Sequence, residues 1–119
     1  MLLLRHEPTG SLVVERVLEA AGPLDRGLGL LGRRALDPGT GMWIHPCKSI
    51  HMFGMRFSID ALFLDRDHRV VRVVGDLRPW RMVPLVWRAA SVVEVTAGRA
   101  AAVGIAAGDQ LRFEVRYQP

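Results

Sequence analysis

The stretch I-D-A-L-F-L-D-R-D-H-R-V-V-R-V-V at residues 59–74 decides the reading of this chain. Residues 59–65 and 70–74 are short runs rich in β-branched and large apolar side chains, and Arg66, Asp67, His68 and Arg69 separate them with a polar break. Runs of this kind, bounded by charged residues, form strands, and a short polar loop between two of them closes a hairpin. Outward from there, the C-terminal stretch alternates: Leu111, Phe113, Val115 and Tyr117 oppose Arg112, Glu114 and Arg116, the period of a half-buried strand. Residues 12–17 and 92–96 read as two more strands. Residues 42–45 begin another, which Pro46 ends or confines to a sheet edge because proline has no N–H for a ladder.

Helical signals are short. Leucines at 24, 28, 31 and 36 give residues 23–36 a helix-compatible spacing, which Gly27, Gly29 and Gly32 each weaken by roughly 1 kcal/mol relative to alanine. Residues 99–103 make one or two turns capped by Gly104 in a left-handed conformation, and Gly108 with Asp109 then turn the chain into the last strand. Residues 77–88, which include Pro79, Trp80, Pro84 and Trp87, fit neither period and read as an ordered loop. The elements predict one α+β domain over residues 1–119. It is mostly antiparallel β, a curled sheet or small barrel of about six or seven strands with two short helices.

At 119 residues, half of them hydrophobic, the chain supports a single well-filled core and is not a disordered protein. Sixteen basic residues against twelve acidic ones give a formal charge of +4. The arginines are dispersed, so they read as solvated faces, and no nucleic-acid partner is expected. Cys47 is the single cysteine and forms no internal disulfide. The opening MLLLRHEPTG has too short an apolar run for an export signal, and no stretch reaches the ~18 apolar residues of a membrane span. A cytoplasmic monomer is expected. Gly27, Gly29 and Gly32 are not followed by the lysine and hydroxyl residue of a phosphate loop, so close packing explains them better. His6 and His68 are expected in solvated loops.

Reactive side chains concentrate in His45, Cys47, Lys48, Ser49, His51, Met52, Met55 and Arg56, followed by Asp60. If residues 49–53 are a strand and 54–57 a hairpin loop, Phe53 faces Ser58 and His51 lies opposite Asp60. Asp60 shares its strand face with Leu62 and Leu64, so its ionised carboxylate needs a partner, which His51 or Arg56 can supply. Three readings follow. Cys47, His51 and Asp60 are nucleophile, base and orienting acid of a small hydrolase or transferase, although no second motif supplies oxyanion donors. Alternatively His45, Cys47 and His51 hold zinc or copper from one face of an extended chain, although Pro46 disturbs that geometry and no fourth ligand is evident. In the third reading Cys47 is a packing residue, and His51 with Asp60 form a structural hydrogen bond. No motif calls for a cofactor. Trp80, Met82, Trp87 and Trp43 either line a groove for a sugar ring, apolar ligand or peptide, or seal the open end of a barrel.

Arg26, Gly27 and Leu28 with Leu31, Gly32 and Arg33, then Gly41 and Met42, and above all SIHMFGMRFSIDALFLD at residues 49–65, resemble the domain-of-unknown-function 192 family. Gly98, Gly104, Ile105, Gly108 and Asp109 resemble its C-terminal signature. The resemblance runs from about residue 12 onward. It implies a compact β-rich domain found in bacteria and archaea, some of whose members carry an N-terminal export or membrane segment, and it brings no assigned reaction. Ser58 stands where the family commonly has proline, and Met52 where threonine or tryptophan is typical. Within the match, Cys47, His51, Met55, Arg56 and Asp60 carry over as candidate site residues. The leading expectation is a non-catalytic ligand-binding or accessory domain for a small molecule or peptide, contacted through Met55, Arg56, Trp80 and Trp87. The alternatives are the thiol enzyme and the metal-dependent activity.

Overall fold

The computed structural model describes residues 1–21 and 35–117. Residues 59–74 fold as the hairpin read from sequence, β5 (Ile59–Leu64) against β6 (Val70–Leu77), antiparallel. Asp65 Oδ1 holds the turn by accepting the N–H groups of Asp67 and Arg69, both at 2.9 Å. Every residue of β5 is buried, as a strand covered on both faces requires. Its other edge pairs antiparallel with β8 (Ser91–Thr96). Outward from β8 come β3 (Thr40–Ile44), β2 (Leu12–Ala20), β1 (Leu2–His6) and β9 (Leu111–Val115), completing the seven-stranded order β6-β5-β8-β3-β2-β1-β9. A separate ribbon pairs β4 (Ile50–His51) with β7 (Met82–Val83). β3 stops at Ile44, ahead of Pro46, as the missing N–H dictates.

The sheet is mostly antiparallel, as expected, but not purely so: β2 and β3 run parallel, Arg16 against Thr40 through Ala20 against Ile44. Their connection, residues 21–39, has the length that a parallel crossover demands. Among the described residues there is one helix, α1 (Arg99–Val103), where two were expected. It ends as read, with Gly104 at φ 85° and its N–H donating to Ala100 O. The helix expected over residues 23–36 falls mainly on residues outside those described. Ala35 and Leu36, which are described, are not helical, and Leu36 is buried in the core. Strand β1 was not anticipated, and β7 lies in what reads as a loop. Val115 and Tyr117 are exposed rather than half-buried, because pairing of β9 with β1 ends at Leu2 against Val115.

The sheet curls until its edge strands approach each other. Arg69 bridges to Gln110, Val70 N–H donates to Asp109 O at 2.8 Å, and Gly108 N–H donates to Val70 O at 2.7 Å. The result is a half-barrel with two cores. The inner core packs Leu4, Val14, Leu62, Leu64, Val93 and Leu111. The outer core packs Ile44, Ile59, Phe63 and Val92 under Ile50, Met52 and Val83 of the ribbon region. Each large side chain so buried contributes roughly 1.5–3 kcal/mol, and both cores depend on the alternation of β5 and β8.

His6 is not a solvated loop residue, and His68, which does lie in the β5–β6 turn, is half-buried. His68 adopts φ 65° and sets its ring edge-on to Trp43 and Phe113. His6 ends β1, is 1% exposed, and places Nδ1 2.7 Å from Thr9 Oγ1 and Nε2 2.7 Å from Asp109 Oδ2. The hydrogen bond with His6, then that from Ala106 N–H, hold the Asp109 carboxyl below the ordinary carboxylate value. A depressed folded-state pKa contributes stability that is complete above the unfolded-state value and is lost as pH falls through the folded one. Asp109 therefore contributes to acid unfolding below the usual carboxylate range. In thermal melts from neutral pH to strong acid, Asp109→Asn should flatten the acid limb. An unchanged limb would remove Asp109 from the acid sensitivity.

Candidate functional site

The ribbon lies over the outer face of the sheet, and it and its flanking residues carry the exposed apolar side chains Phe53, Trp80, Met82, Leu85 and Trp87. Ile50 opposes Val83, and both point into the outer core; His51 opposes Met82, and both point to solvent. Two-residue strands hold this register because flanking backbone bonds extend it: Met52 N–H donates to Arg81 O at 2.8 Å and Trp80 N–H to Met52 O at 2.9 Å. His51 stacks on Phe53 at a centroid distance of 4.9 Å, and Phe53 faces Trp80 at 6.1 Å, with ring planes within 25–27° of parallel. The three rings form one row on the outside of the ribbon.

Beside the row is a cleft of about 220 Å³ lined by Ile44, Pro46, Cys47, Lys48, Ser49, Ile50 and His51. Cys47 is half-buried against the outer core, and its thiol donates to Ser49 O at 3.0 Å. Lys48 Nζ donates to Trp87 O at 2.9 Å and Ala89 O at 2.6 Å, tying the wall of the cleft to the segment after β7. An ammonium already carrying two carbonyl bonds organises backbone.

The expected pairing of His51 with Asp60 does not form, because β4 pairs with β7 while β5 is flanked by β6 and β8. Asp60 is 2% exposed and lies on the opposite side of the sheet from the ribbon. Its Oδ1 accepts Asp76 N–H at 2.9 Å; its Oδ2 accepts Gly98 N–H at 3.0 Å and Ala100 N–H at 2.9 Å. It thus meets the need of a buried carboxylate with backbone donors, tying β6 and the start of α1 to β5. Cys47, His51 and Asp60 are not assembled as a triad. His45 turns to the inner face, stacked on Trp43 at 4.0 Å with Nε2 3.0 Å from Glu19 Oε1, so it does not join Cys47 and His51. Among the described residues no group of three or more His, Cys, Asp or Glu side chains is placed to hold a metal ion.

The other candidates separate by exposure. Met55 is 5% exposed and belongs to the outer core, whereas Arg56 is exposed. Trp80 and Trp87 project into solvent and seal nothing. Sealing falls to Trp43, stacked between His45 and Phe113 at 4.0 Å on both sides across the mouth of the half-barrel. Besides Asp60, four polar residues among those described are buried, all outside the candidate set: His6, Thr40, Ser91 and Glu94, an acid inside the V-V-E-V of β8. An acid interrupting an apolar strand was the available signal for Glu94. Among the described residues no helix is long and apolar enough to cross a membrane.

Comparison with known proteins agrees with this architecture. A protein of unknown function from Novosphingobium aromaticivorans superposes with a TM-score of 0.77 at 22% identity, over 93% of this chain and 82% of that one. A Sinorhizobium meliloti protein provisionally described as a transcription regulator gives a TM-score of 0.74 at 23% identity, over 94% and 91%. At these identities the likeness is one of fold. In sequence, a UPF0127 protein of Pyrococcus horikoshii is 38% identical over 65 residues, 55% of this chain and 56% of that protein, so the match spans a little over half of its length. A model of the DUF192 family, described as an uncharacterized ACR, matches residues 5–113. The chain belongs to the DUF192 family, also called UPF0127, the family that its 49–65 motif resembles.

Proposed function

We propose that this protein is a non-catalytic binding domain whose contact surface is the β4–β7 ribbon with its adjoining cleft. The observation that carries the reading is the row His51, Phe53 and Trp80, held by paired backbone and left open to solvent beside the cleft. Exposed apolar patches of this kind mark contact surfaces. Catalysis has less support: Asp60 is committed to three backbone donors, and the Cys47 thiol donates to the Ser49 carbonyl.

Anilinonaphthalene sulfonate, an apolar anion, is a suitable probe. Saturable binding is expected, weakened about tenfold by Trp80→Ala or Phe53→Ala, since an apolar contact of that size is worth at least one decade. Non-saturable binding, or binding indifferent to both changes, would remove the ribbon from consideration. Alkylation of Cys47 by iodoacetamide at neutral pH should run no faster than with free cysteine. A rate well above that would reinstate the thiol enzyme.

A further inference from the structure

Charge on the ribbon is of one sign. Residues 49–58 and 77–90 contain no aspartate or glutamate, yet they contribute Arg56, Arg78, Arg81 and Arg88, all exposed. The acid next to these segments, Asp76, lies 3.4 Å from Arg78 Nε. Among these arginines stand Phe53 at 47% exposure, Trp80 at 68%, Met82 at 56%, Leu85 at 47% and Trp87 at 79%. Trp80 is held outward at φ 67°, a conformation costly for any residue with a Cβ.

We propose that the ribbon docks on an anionic lipid surface. Phe53, Trp80 and Met82 enter the boundary between headgroups and acyl chains, and Arg56, Arg78 and Arg81 engage the lipid phosphates. The inference rests on the ribbon being the binding surface. A patch mixing tryptophan, phenylalanine and an aliphatic side chain with arginine, and free of acid, has the two contributions of interfacial binding: buried apolar area and attraction to negative headgroups. Lipid fits better than single-stranded nucleic acid. Bases bind by stacking on open ring faces, whereas Phe53 is already stacked with His51 and Trp80, and Met82 and Leu85 offer no ring. The exposed apolar side chains suit insertion.

The test is flotation of the whole chain with vesicles of phosphatidylcholine alone and of equal parts phosphatidylcholine and phosphatidylglycerol. Binding is expected to the mixed vesicles only, with a blue shift of tryptophan emission, and it should be lost near 1 M salt, where the screening length is about 3 Å. Trp80→Ala and Arg81→Gln should each weaken it at least about fivefold. Arg112→Gln, with the same charge change on β9, should not. Melting temperature controls for folding, and Met82→Ser repeats the test at a second exposed position. Equal losses in Arg81→Gln and Arg112→Gln would reduce the effect to net charge and overturn the proposal. Failure to float while the sulfonate probe still binds would overturn the lipid assignment alone, and loss of both would end the ribbon reading as well. Binding of an oligothymidylate through Trp80, without flotation, would replace lipid by nucleic acid.

Discussion

Asp60→Ala should unfold roughly 10 °C below the parent protein, a loss of about 3 kcal/mol for a domain of this size. The side chain is 2% exposed, and three backbone N–H groups converge on it from β6, the Gly98 turn and the start of α1. Deleting the carboxylate orphans all three donors and leaves space that alanine cannot fill. Each buried orphan costs about 1–3 kcal/mol, reduced where water can reach it, as at the more exposed Asp76 and Gly98. Asp60→Asn separates the contributions. An amide oxygen in the Oδ2 position keeps Gly98 and Ala100, but the NH2 group then meets Asp76 N–H, donor against donor, so about half the loss should remain. Thermal and urea unfolding measure both variants. A melting temperature for Asp60→Ala within a degree or two of the parent's would mean that these donors are readily hydrated and that the carboxylate ties nothing.

Asp60 also marks how far the sequence could be read. That a charged residue beside Leu62 and Leu64 needs a partner follows from its strand period. The identity of the partner does not, because the donors are main-chain groups at residues 76, 98 and 100, which have no side-chain signature. Strands β2, β5, β6, β8 and β9 were legible from alternation or β-branched runs. Strand β1 was not: L-L-L-R-H carries no period, and it becomes a strand because β2 and β9 pair with it on both sides. The parallel pairing of β2 with β3 is equally silent, since strand order is a long-range property that local pattern does not encode.

The candidate site divides in the same way. Residues 45–56 are dense in reactive groups, and Cys47 and His51 line one cleft. The hairpin register that brought Asp60 to His51 failed because β4 is only two residues long and its partner lies thirty residues further on, in a segment whose prolines suppress any strand period. Tryptophans in that segment offered two roles, and exposure assigns them. Trp80 and Trp87 face solvent, while sealing is done from β3, where Trp43 sits in an ordinary strand.

That assignment makes Trp43 the other position of large effect. Its indole bridges β3 to β9 across the mouth of the half-barrel, stacked between His45 and Phe113 at 4.0 Å on both sides, with the His68 ring edge-on at 5.5 Å. Trp43→Ala removes the shared partner of three rings and opens the inner core, so it should cost about 3 kcal/mol or more. Trp43→Phe should cost far less, within about 1 kcal/mol of the parent, for a reason particular to this site. The indole Nε1 is buried without a hydrogen-bond partner among the described residues, so replacing it by a C–H removes an unmet donor and offsets part of the lost area. The measurement is urea unfolding of both variants, read by far-ultraviolet circular dichroism because the substitutions alter tryptophan emission. If Trp43→Phe were as damaging as Trp43→Ala, the Nε1 donor would have a partner after all, and the plug would depend on that bond more than on stacking.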